Sequence, residues 1–82
     1  MVSTRHATYR KFMQRLRDAR LKAGLSQKQV AERLKQPQSY VSRCESGERR
    51  VDVVEAMAFA EIYGVTLDDL LPEIVRKADD RD

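Results

Sequence analysis

The fold is decided by QKQVAERLKQPQSYVSRCES, residues 27–46 of this 82-residue chain. Its apolar and small residues recur at helical spacing and form two sets: Val30, Ala31 and Leu34, then Val41 and Cys44. Pro37 lies between the sets, where it cannot continue a helix but is well suited to begin one. The stretch therefore predicts two short helices joined by a sharp turn, with the small Ala31 where the two helices cross.

Two helices joined in this way form a helix-turn-helix, whose second helix enters the major groove of DNA. Short matches within this stretch and beyond it occur in the expected order: GLSQ at 24–27, VA at 30–31, VSR at 41–43, ESGERR at 45–50 and GVTL at 64–67. On these residues, 16–71 resembles the DNA-binding domain of the lambdoid phage repressors and Cro. The resemblance implies an all-α, compact five-helix, lambda-repressor-like domain from a bacterial or phage regulator.

The turn between the two helices departs from the family pattern. Lys35 stands where the family usually has glycine, and Gln36 stands where the family often has an apolar residue. A lysine in a left-handed turn costs on the order of 1 kcal/mol. We expect a slightly altered turn and an intact motif.

Capping residues predict the ends of five helices. The sequence contains no run of alternating apolar and polar residues, so no strand is predicted. The first helix should span about 8–23 and end at Gly24. The second helix should begin at a capping box formed by Ser26 and Gln29, and the third should span 38–46 before Gly47. The fourth should begin at the capping box of Asp52 and Glu55 and end at Gly64. The fifth should begin at the capping box of Thr66 and Asp69 and end at Pro72.

The chain length fits one small domain. We expect a flexible N-terminal arm over 1–8, the helix-turn-helix domain over 9–77 and an acidic tail over 78–82. One cysteine and one histidine cannot build a zinc site, so no metal or cofactor is expected. The sequence also lacks a membrane-length apolar run and a signal peptide, which predicts a cytoplasmic protein without membrane contact.

The net charge of +3 conceals two oppositely charged halves. Residues 1–50 carry thirteen Lys and Arg against four Asp and Glu, whereas 51–82 carry three against nine. Charge runs usually do no more than solvate a surface. Here the positive charge lies on the half that carries the motif, which favours phosphate binding.

The exposed side of the second motif helix predicts the DNA contacts. A helical wheel that buries Val41 and Cys44 turns the polar side chains outward, and the resemblance implies base contacts for several of them. The predicted base-contacting residues are Gln38, Ser39, Ser42 and Arg43. The predicted phosphate-contacting residues are Gln27, Lys28, Tyr40, Arg49 and Arg50. Simple solvation of the loop competes with the prediction for the two arginines, and Glu48 beside them could engage one of the pair.

Two residues near the motif are predicted to be structural. Arg20 falls within the apolar stripe of the first helix, where a charge needs a partner. The family pairs the positions of Arg20 and Glu45, which predicts an internal ion pair. Cys44 should behave as a small inert hydrophobe, with a redox switch as the weaker alternative.

Apolar residues outside the motif suggest a core face and a dimer surface. The fourth helix is predicted to bury Val51, Val54, Met57, Phe59 or Ala60, and Tyr63. Leu70 or Leu71 should close the core. The remaining apolar residues of this region would pair two copies: Val65, Leu67, Leu71, Ile74 and Val75. The alternative is that all of this cluster belongs to the core.

Together these features predict a homodimeric repressor that reads a palindromic site in double-stranded DNA. One recognition helix reads only a few base pairs, so specificity needs two copies. No small-molecule effector is expected. The alternative is an antitoxin-like module that binds a protein partner through 72–82, with DNA binding secondary. An enzyme is not expected, because the sequence has no nucleophile–base set, phosphate loop or carboxylate pair.

Overall fold

A computed structural model describes residues 2–72, with side chains from residue 6 onward, and this part of the chain is entirely helical apart from turns and loops. The helices are α1 (Val2–Lys22), α2 (Gln27–Leu34), α3 (Gln38–Ser46), α4 (Val53–Tyr63) and α5 (Leu67–Leu70). The predicted all-α architecture of five helices is confirmed.

Local capping explains most of the helix ends. The hydroxyl of Ser26 accepts a hydrogen bond from the backbone N–H of Gln29, whose side chain in turn accepts one from the Ser26 N–H. The same reciprocal pair forms between Asp52 and Glu55 and between Thr66 and Asp69. These three capping boxes were all predicted, because they depend only on residues three positions apart.

The turn between α2 and α3 keeps the geometry of the motif despite Lys35. This lysine has φ 59° and ψ 44°, the left-handed conformation that the family usually gives to glycine. Its N–H donates to the Glu32 carbonyl, and the N–H of Gln36 donates to the Ala31 carbonyl at 2.9 Å. Both bonds satisfy carbonyls at the end of α2, and they hold the strained residue in place.

The largest difference from the predicted boundaries lies in α1. This helix begins at Val2, whereas the sequence predicted a start near residue 8 after a flexible arm. The predicted start is wrong, because 2–8 carries no helix stop and continues the helical register. Whether this segment is flexible stays a prediction, and the acidic tail over 78–82 lies outside the described residues.

The core is formed where α1, α2, α3 and α4 meet. Leu16, Val30, Val41, Cys44 and Phe59 are fully buried, and Leu70 of α5 closes one side as predicted. The predicted core face of α4 was wrong in part: Val54 and Met57 are 70% and 55% exposed, and Ala56 is buried instead. No helix of the described residues is long and apolar enough to cross a membrane.

Candidate DNA-binding surface

Helix α3 has one buried side and one exposed side. Val41 and Cys44 have no solvent exposure, whereas Gln38, Ser39 and Arg43 are exposed. Ser42 lies between these sides and is half-buried. Burial raises the pKa of the Cys44 thiol, which fits an inert core residue.

The predicted base-contacting side chains therefore share the outer side of α3, with Ser42 at its edge. Three of them are exposed, and each has groups that can bond to base edges. The Arg43 guanidinium lies 3.7 Å from the Glu48 carboxylate, and both side chains are mostly exposed. An exposed pair of this length contributes little energy. The pair therefore leaves the Arg43 guanidinium accessible to solvent.

Arg20 and Glu45 lie together on the inner side of α3. Nε and Nη2 of Arg20 donate to the two carboxylate oxygens of Glu45 at 2.7 and 3.1 Å, and Nη1 donates to the Leu25 carbonyl at 2.9 Å. The two side chains are only 10% and 5% exposed. Hydrogen bonding to Glu45 raises the pKa of Arg20. This geometry ties α1 to α3 and turns Glu45 away from the outer side.

Gln27 joins the same pair from the first turn of α2. Its Nε2 donates to Oε1 of Glu45 at 3.0 Å, so part of its side chain is already engaged within the protein. The neighbouring Lys28 is exposed and has no ion pair among the described residues. Lys28 is thus the more accessible of the two predicted phosphate contacts on α2.

A second Arg–Glu pair connects the loop after α3 to α4. Nη2 of Arg49 lies 2.9 Å from Oε2 of Glu55, and Nη1 donates to Oε1 at 3.1 Å. The Arg49 guanidinium also covers the ring of Tyr40 at 4.6 Å. Burial, with hydrogen bonding to Glu55 as the next cause, raises the pKa of Tyr40 to about 12. Two predicted phosphate contacts, Arg49 and Tyr40, are therefore bound to each other and to Glu55.

Arg50 is held differently from its neighbour. Its guanidinium lies 4.2 Å above the ring of Tyr9 in α1, and the side chain stays exposed without an ion pair in the described part of the chain. The Tyr9 hydroxyl accepts a hydrogen bond from the Val51 N–H at 3.0 Å. Tyr9 thus contacts the loop at two points, while the charge of Arg50 stays exposed to solvent.

Sequence reasoning missed the contributions of Glu55 and Tyr9 to this surface. Glu55 was assigned only its capping function, and no contact with the loop was predicted for Tyr9. The one available signal was the position of Glu55, six residues after Arg49 and at the start of a helix. Glu48 was the expected partner of Arg49 or Arg50, but it lies beside Arg43 instead.

The predicted dimer residues are divided between the core and the undescribed tail. Val65, Leu67 and Leu71 are half-buried, and the first two pack against the core. Ile74 and Val75 lie outside the described residues. Within 2–72, no group of three or more His, Cys, Asp or Glu residues could hold a metal ion.

An exposed polar helix, presented by a second helix and flanked by basic side chains, defines the class of a helix-turn-helix DNA-binding domain. The sequence profile of the family described as helix-turn-helix domain matches residues 12–74. Among solved structures, the fold is similar to an XRE-family like protein from Pseudomonas syringae pv. tomato str. DC3000. That likeness has a TM-score of 0.80 at 35% sequence identity and covers 98% of this chain and 94% of the other.

The chain belongs to the Cro/repressor-type helix-turn-helix family and is a DNA-binding regulator. A search of curated protein sequences finds no match. The family resemblance predicted from the GLSQ, VSR and ESGERR segments is confirmed.

Proposed function

We propose that the protein is a homodimeric, sequence-specific transcriptional repressor that reads a palindromic operator with α3. The proposal rests mainly on the outer side of α3, where Gln38, Ser39 and Arg43 are exposed together. Glutamine can bond to N6 and N7 of adenine, and arginine to O6 and N7 of guanine. Ser42, at the edge of this side, would add a contact to a base.

The phosphate contacts of the proposal surround this helix. Lys28 at the start of α2 and Arg50 in the loop after α3 are exposed cations without an acidic partner among the described residues. Gln27 has a partly engaged side chain, but its backbone N–H lies in the first turn of α2, where helices attract anions. These groups would fix the register of α3 without reading sequence.

Selection of binding sites from random DNA, followed by footprinting on the selected sequence, tests the function. We expect two protected half-sites related by a two-fold axis and about 34 Å apart, or one helical turn. A reporter gene placed behind the selected site should lose expression when the protein is present. Equal binding to all sequences would contradict sequence-specific reading, and increased expression would contradict repression.

Two substitutions separate base reading from phosphate binding. Arg43→Ala should weaken the specific site by roughly 1–3 kcal/mol and relax the preference at one base position. Lys28→Ala should weaken specific and non-specific DNA alike and reduce the salt slope by about one. If Arg43→Ala lowers both affinities equally, Arg43 is a phosphate contact.

The proposed dimer has two candidate surfaces. One is the predicted set at Val65, Leu67, Leu71, Ile74 and Val75. The other is the outer side of α4, because three of its side chains are the most exposed large apolar side chains of the described residues: Val53, Val54 and Met57. Exposed apolar patches often mark protein contacts.

Sedimentation of three variants distinguishes the two surfaces. Ile74→Asp with Val75→Asp tests the first, and Met57→Glu tests the second. Leu21→Glu is the matched control, because Leu21 on α1 is 54% exposed and Met57 is 55% exposed. The variant that becomes monomeric identifies the interface. A wild-type monomer that still footprints a palindrome would contradict a dimer formed in the absence of DNA.

A further inference from the structure

The Glu55 carboxylate is the point where the recognition helix, the following loop and α4 are connected. Its Oε1 accepts hydrogen bonds from the Asp52 N–H at 3.0 Å and from Nη1 of Arg49 at 3.1 Å. Its Oε2 lies 2.9 Å from Nη2 of Arg49. One acidic side chain therefore both caps α4 and binds the loop through a two-point contact with an arginine, which fixes the orientation of the guanidinium.

The Arg49 guanidinium extends this connection back to α3. It covers the Tyr40 ring at 4.6 Å, and Nη1 also donates to the Arg50 carbonyl at 3.2 Å. The Tyr40 ring in turn stacks on Phe59 of α4, with ring centroids 6.3 Å apart and an angle of 11° between the rings. The contacts form a closed circuit from α4 through Arg49 and Tyr40 and back to α4.

The circuit has a consequence for charge. Arg49 and Arg50 are adjacent, but Glu55 neutralises only Arg49, whereas Arg50 lies over an uncharged ring. The pKa of Glu55 is lowered to about 2, chiefly by the hydrogen bonds from Arg49, so this carboxylate stays charged at neutral pH. The loop therefore presents one free cation, Arg50, where the sequence suggests two.

We propose that Glu55 is a positioning residue for DNA reading: it holds Arg49 against Tyr40 of α3, and this brace of Tyr40, Arg49 and Glu55 fixes the helix and withholds Arg49 from the phosphates. This inference rests on the proposed DNA-binding function. It assigns the two arginines different functions: Arg50 contacts DNA, and Arg49 sets the position of the helix that reads it. Lysine at position 49 would keep the charge, but it can make neither the two-point contact nor the same contact with the ring.

The dependence of affinity on salt separates the two functions, because each phosphate contact adds about 0.9 to the slope of log K against log salt. Arg50→Ala should reduce the slope by about that amount, while Arg49→Ala should leave it unchanged. Arg49→Lys should lower the ratio of specific to non-specific affinity roughly threefold to tenfold, the range for a partly exposed ion pair with a cation–π contact. A slope reduced by Arg49→Ala as much as by Arg50→Ala would overturn the proposal.

Glu55→Gln tests the positioning residue itself. Glutamine can keep the capping function, as Gln29 does at the same position of α2. The substitution should release Arg49 and increase the salt slope by about 0.9. Glu61→Gln is the matched control, because it removes the same charge from an exposed position of the same helix, and Glu61 has no ion pair in the described structure. Equal slopes for the two variants would overturn the proposal.

Hydrogen exchange of the protein without DNA provides a second, independent measurement. The amides of 40–46 should exchange faster in Glu55→Gln than in Glu61→Gln, beyond any difference in global stability. Unchanged exchange would show that the brace does not position α3. If the wild-type protein binds no DNA, the proposed function fails, and the exchange measurement still decides whether Glu55 positions the helix.

Discussion

The described residues contain two hydrogen-bonded Arg–Glu pairs beside α3: an inner pair, Arg20 with Glu45, and an outer pair, Arg49 with Glu55. The Arg20 and Glu45 side chains are 10% and 5% exposed, whereas those of Arg49, in the loop after α3, and Glu55, in α4, are 42% and 24% exposed. A buried pair becomes costly when one partner is lost, whereas an exposed pair contributes little to stability. The comparison suggests that the first pair maintains the fold and the second adjusts the position of the reading helix.

Each pair also holds a third polar residue that the sequence assigned to phosphate. Gln27 donates to Glu45 in the inner pair, and the Tyr40 ring lies under Arg49 in the outer one. Each pair therefore engages one residue of the expected DNA surface. What distinguishes the pairs is burial, and burial determines the order of the effects expected below.

The largest effect is expected at the inner pair. Arg20→Ala should destabilise folding by roughly 3–5 kcal/mol, because it leaves the Glu45 carboxylate buried without its cation. Denaturant unfolding measures the loss. An unchanged free energy of unfolding would show that the inner pair stabilises the fold no more than an exposed pair does.

An effect of intermediate size on the unfolding free energy is expected for Lys35→Gly, which serves as a reference because Lys35 takes part in neither pair. Glycine should stabilise the fold by about 1 kcal/mol, because it adopts the left-handed turn without the Cβ strain that lysine suffers. Lys35→Ala keeps that strain and should give no such gain. Equal unfolding free energies for the glycine and alanine variants would show that the turn is relaxed with lysine.

A smaller effect is expected at the outer pair. Arg49→Ala should lower the melting temperature much less than Arg20→Ala, because solvent screens a half-exposed pair and can hydrate the remaining carboxylate. Thermal unfolding of both variants at the same pH and salt provides the test. Comparable losses would mean that Arg49 is as important to the fold as Arg20.

The smallest effect concerns the pH dependence of the outer pair. The folded-state pKa of Glu55 is lowered from 4.5 to about 2, chiefly by Arg49. A lowered pKa adds stability above pH 4.5 that disappears as the pH falls toward 2. The melting-temperature difference between the wild type and Glu55→Gln should therefore shrink over that interval. A constant difference would show that the Glu55 charge does not stabilise the fold.

The sequence predicted the features that depend on near neighbours. The capping boxes at Ser26, Asp52 and Thr66 could be read from residues three positions apart, and the buried side of α3 followed from only two apolar residues. The orientation of α4 could not be predicted in this way. Nine of its eleven residues, VVEAMAFAEIY, are apolar, so periodicity alone does not select the buried side.

The candidate site shows the same limit. The polar outer side of α3 followed from its helical wheel, and three of the four predicted base-contacting residues are exposed. The brace formed by Tyr40, Arg49 and Glu55 could not be predicted, because it joins three elements whose relative positions depend on the packed core. A pattern can identify a cation near DNA, but not whether the protein already neutralises it.

The buried thiol of Cys44 provides a built-in probe of local unfolding around α3. Because Cys44 has no solvent exposure and burial raises its pKa, a thiol reagent can modify it only when α3 separates from the core. The labelling rate in the native protein thus measures how often the reading helix detaches. Bound DNA should slow that rate, since a helix held in the groove detaches less often.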